Sequence, residues 1–209
     1  YSDPGCTAAE RRCALRSLSG RAGVDPRLFL DAAGSADAEL RHIASLEFLR
    51  ADRQQLPPDV RAALVEQLTT SVRQDGDSRV RMNGMLTLLA EEPGAARSML
   101  SERIACDPAA EVRGLAAGTL FLMGWARDDA TLREQAAAAM STQSLPVRAE
   151  IERQLAFAES CTPDELRKSI EDDIRLWSFV DDASTSAGDG KNVAAMKARV
   201  LQSLLAAMY

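Results

Sequence analysis

Aromatic residues make up only 4% of this 209-residue chain, and that scarcity already narrows the fold. Sheets cover their faces with β-branched and aromatic side chains, so a core here must come mainly from Ala, Leu, Val and Met packed between helices. Histidine occurs once, at His42. A single His cannot complete a Cys/His zinc site of the usual kind. None of the four cysteines (Cys6, Cys13, Cys106 and Cys161) stands at C-x-x-C spacing from another. No apolar run approaches the roughly 18 residues that a membrane span requires. Lysine is scarce as well. Lys168, Lys191 and Lys197 are three among 25 basic residues, a bias that fits GC-rich bacterial coding. Acidic residues number 31, and the net charge of −6 repels phosphate backbones unless the basic residues gather on one face. Nucleic acid is not the expected partner.

What the chain does have is a repeated register. Four segments open alike: Asp37-Ala-Glu-Leu40-Arg41, Asp77-Ser-Arg-Val80-Arg81, Ala109-Ala-Glu-Val112-Arg113 and Ser144-Leu-Pro-Val147-Arg148. The apolar residues are 40, 32 and 35 positions apart, the interval range of stacked helical repeats. Four positions after each stands Ala44, Gly84, Ala116 or Ile151, and eight positions after stands Phe48, Leu88, Leu120 or Leu155. Steps of four and eight keep all three residues on one helical face.

Each segment is followed by a second helix with its own start signal. Pro57-Pro58-Asp59 precedes Val60, Leu64, Leu68 and Val72; Glu92-Pro93 precedes Ala96, Met99, Leu100 and Ile104. Asp128-Asp129 precedes Leu132, Ala136 and Met140, and Thr162-Pro163-Asp164-Glu165 is a capping box ahead of Leu166, Ile170, Ile174 and Trp177. Before the first repeat, Thr7 and Glu10 form another capping box, opening a helix that stops at Ser19-Gly20. A shorter helix then runs from about Asp25 to Ala33. The expected organisation is an N-terminal helical cap over residues 1–36 and repeats over 37–183. A flexible loop follows over 184–192, then a closing amphipathic helix over 193–209 built on Val193, Met196, Val200, Leu204 and Met208.

The Val-Arg opening, the small residue four positions on and the helix pair of 32 to 40 residues resemble HEAT repeats over about Asp37 to Val180. The resemblance implies an all-α, right-handed α-solenoid of about four helix pairs between helical caps. It also implies that Arg41, Arg81, Arg113 and Arg148 pair with acidic residues of neighbouring repeats. Candidate acids stand at Asp37 and Asp77, with no counterpart in the third and fourth copies. A TPR-like array has a similar period, but its Trp, Gly and Tyr positions are absent. HEAT-like hydroxylases use paired His-Glu motifs that a chain with one His cannot supply. The HEAT-like class that excises alkylated DNA bases relies on a basic concave face, and this chain is acidic. A bilin-handling HEAT-like class needs only a cavity and a few acids.

No other motif announces chemistry. Gly188-Asp-Gly190-Lys191-Asn192 fails as a phosphate loop, with Thr185 where Gly is required and Asn192 where Ser or Thr should meet Mg²⁺. As a Ca²⁺ loop counted from Asp182 it ends on Val193 rather than a bidentate Glu. Glu171-Asp172-Asp173 sits among Arg167, Lys168 and Arg175 and reads as a solvated helix face. His42 reads as a surface or packing histidine.

The reading is therefore a scaffold or adaptor without catalytic residues, cofactor or metal, binding a protein or peptide partner on a mixed-charge concave face. The outward residues of the second helices that would form this face are Glu66, Gln67, Arg97, Glu102, Glu134, Glu171 and Arg175. The alternative is a sensory or small-ligand-binding domain of an exported or membrane-anchored bacterial protein, its pocket bounded by Trp125 or Trp177. The start at Tyr1 without Met, taken with an even cysteine count, points to a periplasmic or otherwise exported domain, with a cytoplasmic one as the alternative. It also leaves room for a membrane anchor upstream. In such a domain Cys6 and Cys13 are the candidate disulfide, provided the chain folds back before Thr7. Along a continuous helix they would be about 10 Å apart, too far for a bond.

Overall fold

The computed structural model describes residues 5–19, 21, 23–51, 55–91, 93–126 and 129–141. Beyond these it describes only 148, 152, 156, 160–162, 164, 165, 167–169, 171 and 172. The described residues form helices and no strand, as the composition requires. The helices whose bounds fall among the described residues are, in order, α1 (Ala8–Leu18), α2 (Arg27–Ala33), α3 (Ala38–Arg50), α4 (Pro58–Gln74), α5 (Ser78–Glu91), α6 (Pro93–Cys106), α7 (Ala110–Ala126) and α8 (Ala130–Met140). Val147, Ile151, Leu155, Trp177, the 184–192 loop and the 193–209 helix lie outside the described residues, as does the Trp125 side chain.

Local chemistry accounts for where these helices begin. Thr7 caps α1 in a capping box: its hydroxyl accepts from the Glu10 N–H, and the Glu10 carboxylate accepts from the Thr7 N–H at 2.7 Å. Asp37 caps α3 through the Glu39 N–H, and Asp129 caps α8 through the Leu132 N–H. Pro58 stands in the first turn of α4, where its missing N–H costs nothing. Thr162 and Glu165 bond reciprocally as the second capping box requires.

The chain divides into two compact units, Tyr1–Thr87 and Leu88–Tyr209, with the boundary inside α5. In the first unit α1 packs on α3, and α2 packs on α3 and α4. Val60, Leu64, Leu68 and Val72, the stripe anticipated on α4, are all buried, as are Leu40, Ala44, Phe48, Val80 and Gly84 from the repeat register. Phe29 of α2 meets Phe48 of α3 edge to face, with ring centroids 6.4 Å apart. Each fully buried Leu, Val or Phe of this set contributes about 1.5–3 kcal/mol of transfer free energy. In the second unit α7 packs on both α6 and α8. Val112, Ala116 and Leu120 are buried along α7, as are Leu88 on α5, Leu100 on α6, and Leu132 and Ala136 on α8.

Two glycines mark close helix approaches. A Cβ on Gly84 would meet the Val72 Cγ2 methyl at 2.9 Å; one on Gly124 would meet Leu132 Cβ at 2.8 Å and the Arg133 backbone nitrogen at 2.9 Å. A methyl can yield, whereas the backbone of α8 cannot move without shifting the helix. Gly124→Ala should therefore lower stability by about 1–2 kcal/mol, because overpacking exceeds the gain of about 1 kcal/mol in helix propensity. Gly84→Ala should lie nearer neutral. Urea-unfolding midpoints of the two variants check the order.

Candidate interaction surface

The α2–α3, α4–α5 and α6–α7 connections each carry near their start a short polar residue whose side chain holds the N–H two positions on. Ser35 Oγ accepts from the Asp37 N–H at 3.1 Å, Asp75 Oδ1 from the Asp77 N–H at 2.9 Å, and Asp107 Oδ1 from the Ala109 N–H at 2.9 Å. The arginine six positions later returns to the same residue. Arg41 Nη1 donates to the Ser35 carbonyl at 2.9 Å, Arg81 Nη1 to the Asp75 carbonyl at 2.6 Å, and Arg113 Nη1 to the Asp107 carbonyl at 2.7 Å. Three of the four register-matched arginines thus make one and the same bond.

Arg41 also forms a two-pronged pair with Asp75, Nε to Oδ2 at 2.7 Å and Nη2 to Oδ1 at 2.9 Å. The Asp75 side chain is only 4% exposed. The carboxylate partner of Arg41 is therefore Asp75, and not the expected Asp37 or Asp77, which face other arginines. Asp37 accepts from Arg12 at 2.8 Å, and Asp77 from Arg79 at 2.6 Å. Asp75 stands six positions before Arg81, the next arginine of the register. Asp75→Ala removes both prongs and the loop cap together and should cost about 2–3 kcal/mol. Glu66→Ala on the open face of α4 should stay within about 0.5 kcal/mol. Chemical denaturation of both variants checks the contrast.

Arg16, Glu39, Arg79 and Asp77 form a charge ladder joining α1, α3 and the start of α5. Arg16 pairs with Glu39, and Arg79 bonds both Glu39, at 3.2 Å, and Asp77. Burial raises the Glu39 carboxyl, but the bonds from Arg16 and Arg79 outweigh it and leave it below the usual range. The bond from Arg79 drives Asp77 down to about 2, and Asp77 in turn raises Arg79. A depressed carboxylate stabilises the fold fully above its unfolded value of 3.8, and that stability is lost as pH falls through about 2. Asp77→Asn keeps an oxygen for the Arg79 N–H cap and removes the charge. It should cost about 1 kcal/mol at pH 7, since Arg79 is half exposed, and close to nothing below pH 2. Urea midpoints at both pH values give the comparison.

The expected partner-binding residues separate by role. Glu66 on α4, Arg97 on α6 and Glu134 on α8 are exposed. Gln67 is half-buried and donates to the Ala33 carbonyl at 3.3 Å, which ties α2 to α4. Glu102 accepts from the buried Arg103 at 2.6 Å, and Arg103 lies 3.6 Å from buried Asp107, so Glu102 belongs to the packing of its unit. Arg97 approaches Asp129, the cap of α8, at 3.8 Å, and Glu171 pairs with Arg167 at 3.2 Å. Arg175 lies outside the described residues.

Two hollows of the first unit are lined by described residues. A cleft of about 390 Å³ lies between the α1–α2 and α3–α4 connections, lined by Arg21, Val24, Phe29, Glu47, Phe48 and Leu56 among others. A shallower polar groove of about 290 Å³ passes Ser35, Arg41, Gln67, Ser71 and Asp75. The pocket expected beside Trp125 or Trp177 falls outside the described side chains. Cys6, Cys13, Cys106 and Cys161 all carry free thiols, with Cys6 ahead of the α1 cap and Cys13 exposed on the helix. Among the described residues no three His, Cys, Asp or Glu side chains gather as a metal site, and no helix is long and apolar enough to cross a membrane. No family model, curated protein or solved structure matches the chain.

Proposed function

We propose that the chain is a protein-interaction module: a right-handed α-solenoid of four HEAT-like helix pairs between helical caps, binding a protein or peptide partner along its second helices. The observation that supports this is a division of exposure between the two helices of each pair. Among the described residues, α3 has no exposed position, α5 has Arg79 alone and α7 has Glu111 alone. The second helices keep a whole exposed face: Arg61, Ala62, Glu66, Thr70 and Arg73 on α4; Arg97, Ser101 and Ala105 on α6; Thr131, Glu134, Gln135 and Ala138 on α8. A face of this mixed character offers complementary contacts and hydrogen bonds to a peptide or folded partner, with charge setting specificity and encounter rate. Origin in a GC-rich bacterium and export to the periplasm belong to the same proposal.

The second reading, a small-ligand domain, is favoured by the 390 Å³ cleft over Phe29 and Phe48, which falls within the usual range of ligand sites. One experiment separates the two. Peptides selected from a random library against the whole chain are mapped by amide chemical-shift changes. Under the interaction reading the changes fall on α4, α6 or α8, and Glu66→Lys or Glu134→Lys weakens the corresponding peptide about tenfold with the fold retained. Changes confined to the cleft residues, or indifference to both reversals, would sink that reading.

A further inference from the structure

His42, the one histidine of the chain, sits on α3 in a closed hydrogen-bonded ring that reaches α5. Ser45 Oγ donates to the His42 carbonyl at 2.8 Å, and Asn83 Nδ2 donates to Ser45 Oγ at 3.0 Å. The same amide nitrogen stands 3.5 Å from His42 Nδ1. Ser45 is buried, while His42 and Asn83 are half-buried. An amide nitrogen only donates, so Nδ1 must offer its lone pair and the ring proton must sit on Nε2. The Ser45 hydroxyl has one hydrogen, committed to the His42 carbonyl, which leaves its lone pairs to receive Asn83. Every bond in the ring therefore has a fixed direction, and that direction is compatible only with a neutral imidazole.

We propose that His42, Ser45 and Asn83 form a proton-sensitive latch joining α3 to α5, closed while the imidazole is neutral and broken when Nδ1 takes a proton. Protonation sets an N–H against the Asn83 N–H. Turning the amide over would bring its oxygen to the ring, but Ser45 would then have to abandon the His42 carbonyl to donate to that oxygen. The charged groups around the ring are Arg79 and Asp77 at the start of α5, Glu39 on α3 and Arg16 on α1. Glu39 and Asp77 favour the cation, yet both are engaged by Arg79, and Arg79 and Arg16 oppose it. Burial opposes it most, and the ring is held below its ordinary 6.5. The fold therefore has the full benefit of the latch above pH 6.5 and loses it as pH falls through the lower folded-state value.

The test uses ring-proton NMR titration of the whole chain. Wild-type His42 should titrate below 6.5, whereas Asn83→Asp, which places a carboxylate oxygen where the donor stood, should carry it above 6.5. Wild-type titration at or above 6.5, or an Asn83→Asp variant that titrates with the wild type, overturns the latch. Should Asn83→Asp not fold, hydrogen exchange decides. Between pH 7 and pH 5, after correction for intrinsic rates, opening of the 79–87 amides should rise several-fold more in wild type than in His42→Gln. An equal rise in both overturns the proposal.

Discussion

A three-residue connection between helices leaves backbone carbonyls with no partner in the helices on either side, and here an arginine from the following helix closes them. Asp75-Gly76-Asp77 and Asp107-Pro108-Ala109 show the constraint most plainly. The acid side chain holds the chain's exit by bonding the N–H two residues on, and the arginine six residues on holds its carbonyl. A guanidinium is suited to this because its five donors lie in one plane and can serve a carbonyl and a carboxylate at once. Arg41 does both, bonding the Ser35 and Ala36 carbonyls and both oxygens of Asp75. A lysine could supply the charge but not the fork. The Arg-for-Lys bias of the sequence is thus structural at these positions, whatever its origin elsewhere.

Fixing the connection fixes the start of the first helix, and the small residue one turn later then sets how deeply that helix is buried. Ala44, Gly84 and Ala116 are buried, and at Gly84 the neighbouring helix comes so near that a single methyl would touch Val72. α3, α5 and α7 also bury Ser45, Thr87 and Thr119 alongside their apolar residues. Their hydroxyls are satisfied locally. Thr87 and Thr119 donate to the carbonyls four residues back, Asn83 and Leu115. Among the described residues, α4, α6 and α8 each keep an exposed face.

The helical class and most helix ends were legible because they rest on short-range chemistry. The capping boxes at Thr7 and Thr162 and the i, i+4 stripe of α4 are complete within a few residues of sequence. The acid partner of Arg41 is not legible three positions before Leu40 and Val80, where Asp37 and Asp77 stand. The carboxylate has to stand two residues earlier to bond its own loop and still face the preceding arginine. The division of the chain inside α5 leaves no mark in composition. The His42–Asn83 contact joins residues 41 apart on different helices, and no periodicity distinguishes Asn83 from any other polar residue of its helix. One long-range pair was in principle readable. Glu39 and Arg79 each stand immediately before the apolar residue of their register, have opposite charge, and bond at 3.2 Å.

Part of the mixed charge of the sequence is already paired within the fold. Five arginines of the first unit, Arg12, Arg16, Arg27, Arg41 and Arg79, each hold a carboxylate. Among the seven residues expected to meet a partner, Gln67 and Glu102 are bonded within the fold, and Arg97 and Glu171 already have opposite charges nearby. Glu66 and Glu134 stand exposed with no ion pair among the described residues. Exposed pairs hold each other weakly and can be exchanged for a partner's charge at little cost, whereas an open carboxylate needs no exchange at all. Under the interaction reading, the residues that would steer an encounter are therefore these acids, and they select for a partner with basic side chains.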